Sequence, residues 1–164
     1  HHYIRNNLSR QRRFFLEDES RAIGSLSLPL ILFEFMRTSP IAVIESNFGD
    51  RVETILNDYI ISNYNDIESN EPGNAGVIFT RYLLESLERI RKRLGSQNYK
   101  KIKQKMDQAS SGKLTDQLKN IHRDWIQILL QEYYDPMYEY QLKKKEDRII
   151  FRGTHHEFKA WIRE

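Results

Sequence analysis

Apolar positions follow two rhythms along this chain. Three short runs are nearly uninterrupted. Phe14-Phe15-Leu16 is closed by Glu17, Ile41-Ala42-Val43-Ile44 by Glu45, and Ile149-Ile150-Phe151 lies between Arg148 and Arg152, stopped by Gly153. Runs of this length, bounded by charge, predict buried strands. Between them the helical period dominates. Val52, Ile55, Leu56, Tyr59 and Ile60 fall at i, i+3, i+4, i+7 and i+8 behind an Asp50-x-x-Glu53 capping pattern. Phe79, Leu83, Leu87, Ile90 and Leu94 form a second stripe that Gly95 closes, with Glu85–Arg89 and Glu88–Lys92 spaced as i,i+4 ion pairs. Leu118, Ile121, Trp125, Ile128 and Leu129 form a third. Asp135-Pro136 then predicts a break and a new helix start, with Asp as cap and Pro in the first position. Thr154-x-x-Glu157 opens a terminal helix expected to bury Phe158, Trp161 and Ile162. Residues 63–76 make the main polar loop.

The resulting order is β-α-β-α-α-α-α-β-α, about three short strands and six helices. Strands separated by helices predict a parallel α/β sheet. Three strands are few for that layout, so the expected class is α/β but predominantly helical. Residues 14–45 and 148–164 form the α/β portion, and a mainly helical portion over 49–145 is inserted before the last strand.

Composition narrows the chemistry. With 164 residues the chain is expected to be one domain with a core of its own. It has no cysteine, which excludes disulfides, Cys-based metal sites and a thiol nucleophile within this sequence. No apolar stretch approaches the roughly 18 residues of a membrane span. His1-His2-Tyr3 does not open a signal peptide, so a soluble, cytoplasmic protein without membrane association is expected. His1 and His2 fit the end of a purification tag and are left out of the candidate site.

The formal net charge is only +3, but its distribution is uneven. Residues 1–13 hold four arginines and no acid, residues 14–80 hold 11 acids against 3 bases, and residues 81–164 hold 19 bases against 12 acids. From Arg89 to Lys105 eight bases (Arg89, Arg91, Lys92, Arg93, Lys100, Lys101, Lys103 and Lys105) occur without one acid. Such a run suits a phosphate backbone, although a solvated helix face has the same composition.

Two further segments carry candidate chemistry. Glu17-Asp18-Glu19-Ser20-Arg21 follows the first predicted strand, and the carboxyl ends of strands are where open α/β sheets bind ligands. A carboxylate there suits hydrated Mg²⁺, with Asp18 the candidate ligand, and Arg21 suits a phosphate oxygen. No G-x-x-x-x-G-K-[ST] accompanies it, and none of the seven glycines lies in a phosphate cradle. The second segment, Glu132 to Tyr140, sets Tyr133, Tyr134, Tyr138 and Tyr140 close to Lys143, Lys144 and Lys145. These groups are suited to stacking on bases and gripping phosphates, to lining an apolar pocket, or to packing a helix junction. His122, His155 and His156 have no partners at metal-ligand spacing and read as satisfied or exposed residues.

Phe15-Leu16-Glu17-Asp18-Glu19-Ser20-Arg21-Ala22-Ile23-Gly24 resembles a stretch of the bacterial tRNA 2-selenouridine synthases. The likeness continues through Leu28-Pro29, Ile41 to Glu45, Asp50-Arg51-Val52-Glu53, Leu87-x-x-Ile90-x-x-Arg93-Leu94-Gly95, Glu132-Tyr133-Tyr134-Asp135-Pro136-Met137-Tyr138 and Arg148 to Gly153, nearly the whole chain in order. The resemblance implies part of a P-loop-type three-layer domain, expected as a C-terminal piece that follows a rhodanese-like domain and the phosphate-binding loop. It implies a transferase that geranylates wobble 2-thiouridine of tRNA from geranyl diphosphate and then exchanges sulfur for selenium from selenophosphate. Expected catalytic residues are Glu17, Asp18 and Arg21, with Glu19, Ser20, Tyr133, Tyr134 and Tyr138 at the substrate. Arg89, Arg91, Arg93, Lys101, Lys105, Lys143, Lys144 and Lys145 are expected to contact tRNA. Without its central strand, the sheet should pair Phe14–Glu17 directly with Ile41–Glu45 or leave exposed edges. The competing reading is a non-catalytic helical module that binds RNA or protein.

Overall fold

The computed structural model describes residues 14–18, 20–23, 25–109 and 113–163. The chain divides into two compact units between Ile41 and Ala42. In the first, β1 (Ala22–Ile23) pairs antiparallel with β2 (Leu26–Ser27), with Ala22 opposite Ser27 and Ile23 opposite Leu26. The Leu28 N–H closes this hairpin by donating to the Arg21 carbonyl at 2.8 Å. Helix α1 (Leu30–Thr38) follows and buries none of its residues.

The second unit holds the core. β3 (Ile41–Glu45), of which all but Ile41 belongs to this unit, enters α2 (Phe48–Ile55), which passes through a π-helical turn (Leu56–Ile61) into α3 (Ser62–Asn70). Then come α4 (Ala75–Leu94), α5 (Ser96–Gln108) and α6 (Asp116–Leu129). A second π-helical turn (Leu130–Tyr134) leads into α7 (Asp135–Lys143), and β4 (Ile149–Thr154) and α8 (His155–Trp161) complete it. β3 and β4 pair in a two-stranded sheet. The fold is thus α/β and predominantly helical, as expected.

Most of the first two predicted stripes, with Trp125 of the third, meet unpredicted residues of α5, α6 and the second π-turn in one cluster. Val52, Leu56, Ile60, Phe79, Leu83, Leu87, Leu94, Ile102, Met106, Trp125, Ile126 and Leu130 are buried together, so the core lies wholly among the helices. Gly95 ends α4 with φ +82° and ψ 155°, a conformation open essentially to glycine alone, and α5 starts on the next residue. At the other end of the unit, Thr154 and Glu157 form a reciprocal capping box.

Several expectations change. Phe14 to Glu17 is not a strand: it is exposed and irregular, with Phe14 86% accessible, because an apolar run becomes a buried strand only where a neighbouring strand receives it. β3 pairs with β4 rather than with this segment. Helix α2 begins at Phe48, capped by the Asn47 side chain, which accepts from the Asp50 N–H at 2.8 Å; Asp50 is therefore inside the first turn. The polar stretch 63–76 is mostly helix, leaving only 71–74 between α3 and α4. Asp135-Pro136 does not break the chain. The helix continues from 116 to 143, because the wider π-turn just before Pro136 accommodates a residue with no N–H to donate. Glu88 pairs with Arg91 at 3.1 Å instead of Lys92. The buried line of α6 is His122, Trp125 and Ile126, one step round from the predicted stripe. Finally, α8 only half-buries Phe158 and Trp161 against Phe151, and Ile162 is exposed.

Candidate functional site

The second unit holds a cavity of about 470 Å³ among its described residues. Its floor is aliphatic and aromatic, built from the core-facing sides of α2, α4 and α6 by Ile55, Leu83, Leu87, Ile90, Trp125 and Ile126. Exposed Tyr59, Tyr82 and Tyr138 stand at its mouth, and half-buried Asn63, Ser86 and Tyr134 also line it. Both π-turns contribute, the first through Tyr59 and Ile60 and the second through Leu130 and Tyr134. A π-turn inserts one residue into the helical register and re-aims the side chains around it, which is why such turns gather at functional sites.

One ion pair stands at this mouth. The Arg51 guanidinium makes a two-pronged contact with the Asp135 carboxylate, Nη1 to Oδ1 at 2.6 Å and Nη2 to Oδ2 at 2.8 Å, joining residues 84 positions apart. The hydrogen-bonded guanidinium holds the Asp135 carboxyl below the usual range. Arg51 also lies 5.5 Å from the Phe48 ring centroid, and its Nε is buried without a partner. The opening therefore contains a neutralised pair. Beside the lining residue Trp125, His122 is 3% exposed, and its Nδ1 accepts from Trp125 Nε1 at 2.9 Å. Burial lowers its pKa to about 4, so it is a neutral structural group at pH 7.

The predicted tyrosines divide. Tyr134 and Tyr138 stack at 6.4 Å and line the cavity, and burial pushes the Tyr134 phenol up. Tyr133 meets Tyr134 edge-on at 4.9 Å, packs against the core and is not part of the lining.

The basic run lies on α4 and α5, and space supplies acids that the sequence window lacked. Arg91 binds Glu88, Lys103 binds Asp107 at 2.7 Å, and Lys105 binds Asp124 of α6 at 2.7 Å. Arg91 also stacks over Tyr99, whose hydroxyl donates to Glu88 at 2.6 Å. Arg89, Lys92, Arg93, Lys100 and Lys101 are exposed and make no ion pair among the described residues. In the other cluster, Lys143 and Lys144 are exposed, Lys144 sits 4.1 Å over the Tyr140 ring, and Lys145 is half-buried.

In the first unit Glu17, Asp18 and Arg21 are exposed, and Ser20 Oγ donates to the Ala22 carbonyl at 2.6 Å. Glu19 lies outside the described residues, as do the arginines of residues 1–13. Among the described residues no three His, Asp or Glu side chains gather into a metal cluster. No described helix is long and apolar enough to cross a membrane.

Fold and site together define a predominantly helical α/β module with an apolar small-molecule-sized cavity and a cationic helix face. The chain belongs to the family described as the tRNA 2-selenouridine synthase AAA domain, which it matches over residues 1–164. It is 43% identical over 155 residues to a tRNA 2-selenouridine synthase of Pseudomonas paraeruginosa, covering 93% of this chain and 42% of that protein. The relative of the same name from Azotobacter vinelandii is 42% identical over 153 residues, covering 93% and 41%, and that from a Shewanella species 39% over 160 residues, covering 97% and 44%. The chain thus spans less than half the length of the curated relatives it matches. No solved structure matches it.

Proposed function

We propose that this chain works as part of a tRNA-modifying transferase that converts wobble 2-thiouridine to 2-selenouridine through a geranylated intermediate. The observation that carries the selenouridine part of this reading is the family match over residues 1–164, at about 40% identity to proteins named tRNA 2-selenouridine synthase; the geranylated intermediate is what the sequence resemblance implies. Arg89, Arg93 and Lys101, with Lys143 and Lys144, hold tRNA phosphates; Arg91, Lys105 and Lys145 lie beside them as weaker contributors. Glu17 and Asp18 offer the oxygen donors Mg²⁺ prefers, with Glu19 next in sequence, and Ser20 and Arg21 serve the diphosphate end of the donor.

In geranyl transfer the carbon–oxygen bond to diphosphate breaks as the carbon–sulfur bond forms, and charge builds on the departing diphosphate. Cationic and N–H groups stabilise that charge. This sequence has Arg21 beside its acids but no Gly-Lys-Ser/Thr loop and no cysteine thiolate for selenium exchange. Its share is therefore to bind substrate rather than to complete either transfer alone. Incubation of the 164-residue chain with 2-thiouridine tRNA, geranyl diphosphate, selenophosphate and Mg²⁺ tests this division of labour. Retained tRNA binding by fluorescence anisotropy, with only 2-thiouridine in the mass spectrum of the digested tRNA, is expected. No tRNA binding, or a geranylated or selenated nucleoside above the no-protein control, contradicts it.

A further inference from the structure

The cavity of the helical unit is built for a ligand that the cationic surfaces do not explain. At about 470 Å³ it falls in the roughly 300–1,000 Å³ range of small-molecule sites. Leu83, Leu87, Trp125 and Ile126, which help form its floor, are each buried, so a ligand entering it meets hydrocarbon on most sides. None of its polar side chains is fully buried, and the one guanidinium among them is engaged by Asp135 through both terminal nitrogens. A diphosphate would have to displace that carboxylate from Arg51, and the lining offers it no other cation. A nucleobase would bring several donors and acceptors to a floor that offers few partners, leaving them unsatisfied. An uncharged hydrocarbon chain suffers neither penalty.

We infer that this cavity, floored by Leu83, Leu87, Trp125 and Ile126 and flanked by both π-turns, binds the acyclic hydrocarbon chain of a small molecule, whose charged end stays outside. Taking that chain to be the geranyl group of the donor rests on the function proposed above. The paired Arg51 and Asp135 keep the mouth neutral, and the stacked Tyr134 and Tyr138 rings offer apolar faces along the entry.

Trp125 supplies the readout, since it lies in the lining and the chain's other tryptophan, Trp161, is removed by Trp161→Phe. In that background, titration with geraniol or octanol is expected to change Trp125 fluorescence saturably, and inorganic diphosphate is expected neither to do so nor to displace them. Ser86→Phe and Asn63→Phe, which fill the cavity from two different helices, should each weaken alcohol binding at least tenfold. Melting curves taken in parallel show which variants remain folded, and either folded variant suffices. Absence of a saturable response to both alcohols, or undiminished binding by a folded cavity-filling variant, overturns the inference. The two readings fail separately: a chain that binds tRNA but neither alcohol loses the cavity assignment alone, and one that binds the alcohols but not tRNA loses the tRNA role alone.

Discussion

At the scale of single residues, His122 shows how burial decides a role. A histidine near an aromatic stripe has the composition of a catalyst, yet this one is enclosed, accepts from Trp125 and has a pKa lowered to about 4 by burial. The unfolded chain holds its proton up to the ordinary value near 6.5. Between these values the unfolded state binds more protons, so stability is full above about pH 6.5 and falls as pH drops toward 4. The shift corresponds to about 3 kcal/mol at most, as an order of magnitude. Chemical denaturation at several pH values should show this loss in the parent chain. In His122→Gln, which keeps a hydrogen-bond acceptor for Trp125, the loss between pH 6.5 and 4 should shrink by most of that amount. The difference between the two curves removes the contribution of the surface carboxylates, and parallel curves would contradict the burial argument. Arg51 and Asp135 illustrate the opposite difficulty. Each stood in a noticeable motif, but nothing in a linear reading joins residues so far apart, and their pairing defines the cavity mouth.

Elements were legible where periodicity alone determines burial. Apart from Tyr59, which is exposed, the stripes of 52–60 and 79–94 are the faces that α2, its π-turn and α4 present to the core, because amphipathic spacing needs no knowledge of the partner. Strands and breaks were less legible. Phe14-Phe15-Leu16 has the composition of a strand, but strand formation depends on a neighbour's unpaired N–H and C=O groups, which no local pattern encodes. Pro136 was misread because a π-turn removes the conflict that normally ends a helix before proline. The same two π-turns placed Tyr59 and Tyr134 at the cavity, a position that a regular 3.6-residue wheel does not predict. Gly95 was read correctly, since a glycine closing a periodic stripe has a local cause. It turns α4 directly into α5 with a positive φ, so Gly95→Ala should cost about 1–3 kcal/mol through backbone strain, although its missing Cβ faces open space. Thermal melting should place this variant roughly 2–10 °C below the parent. An unchanged midpoint would show that the α4–α5 junction relaxes without cost.

For the molecule as a whole, sequence and space disagree about charge in an instructive way. The Arg89–Lys105 window contains no acid, yet Glu88, Asp107 and Asp124 neutralise three of its cations once the helices pack. What remains is a smaller set, with Arg89, Arg93 and Lys101 exposed and without ion pairs among the described residues. Each phosphate contact on a nucleic acid steepens the salt dependence of binding by roughly 0.7–0.9 in a log–log plot, through counterion release. Paired cations should contribute less, because contact with RNA first costs them their carboxylate. The most direct measurement is therefore the affinity of the chain for 2-thiouridine tRNA across a salt series, with and without Arg89→Gln, Arg93→Gln and Lys101→Gln combined. The triple variant should bind more weakly and lose about 2–3 units of slope, whereas a matched Arg91→Gln, Lys103→Gln and Lys105→Gln variant should lose clearly less. Equal affinity and equal slope for the parent and the first triple variant would contradict tRNA binding through this face.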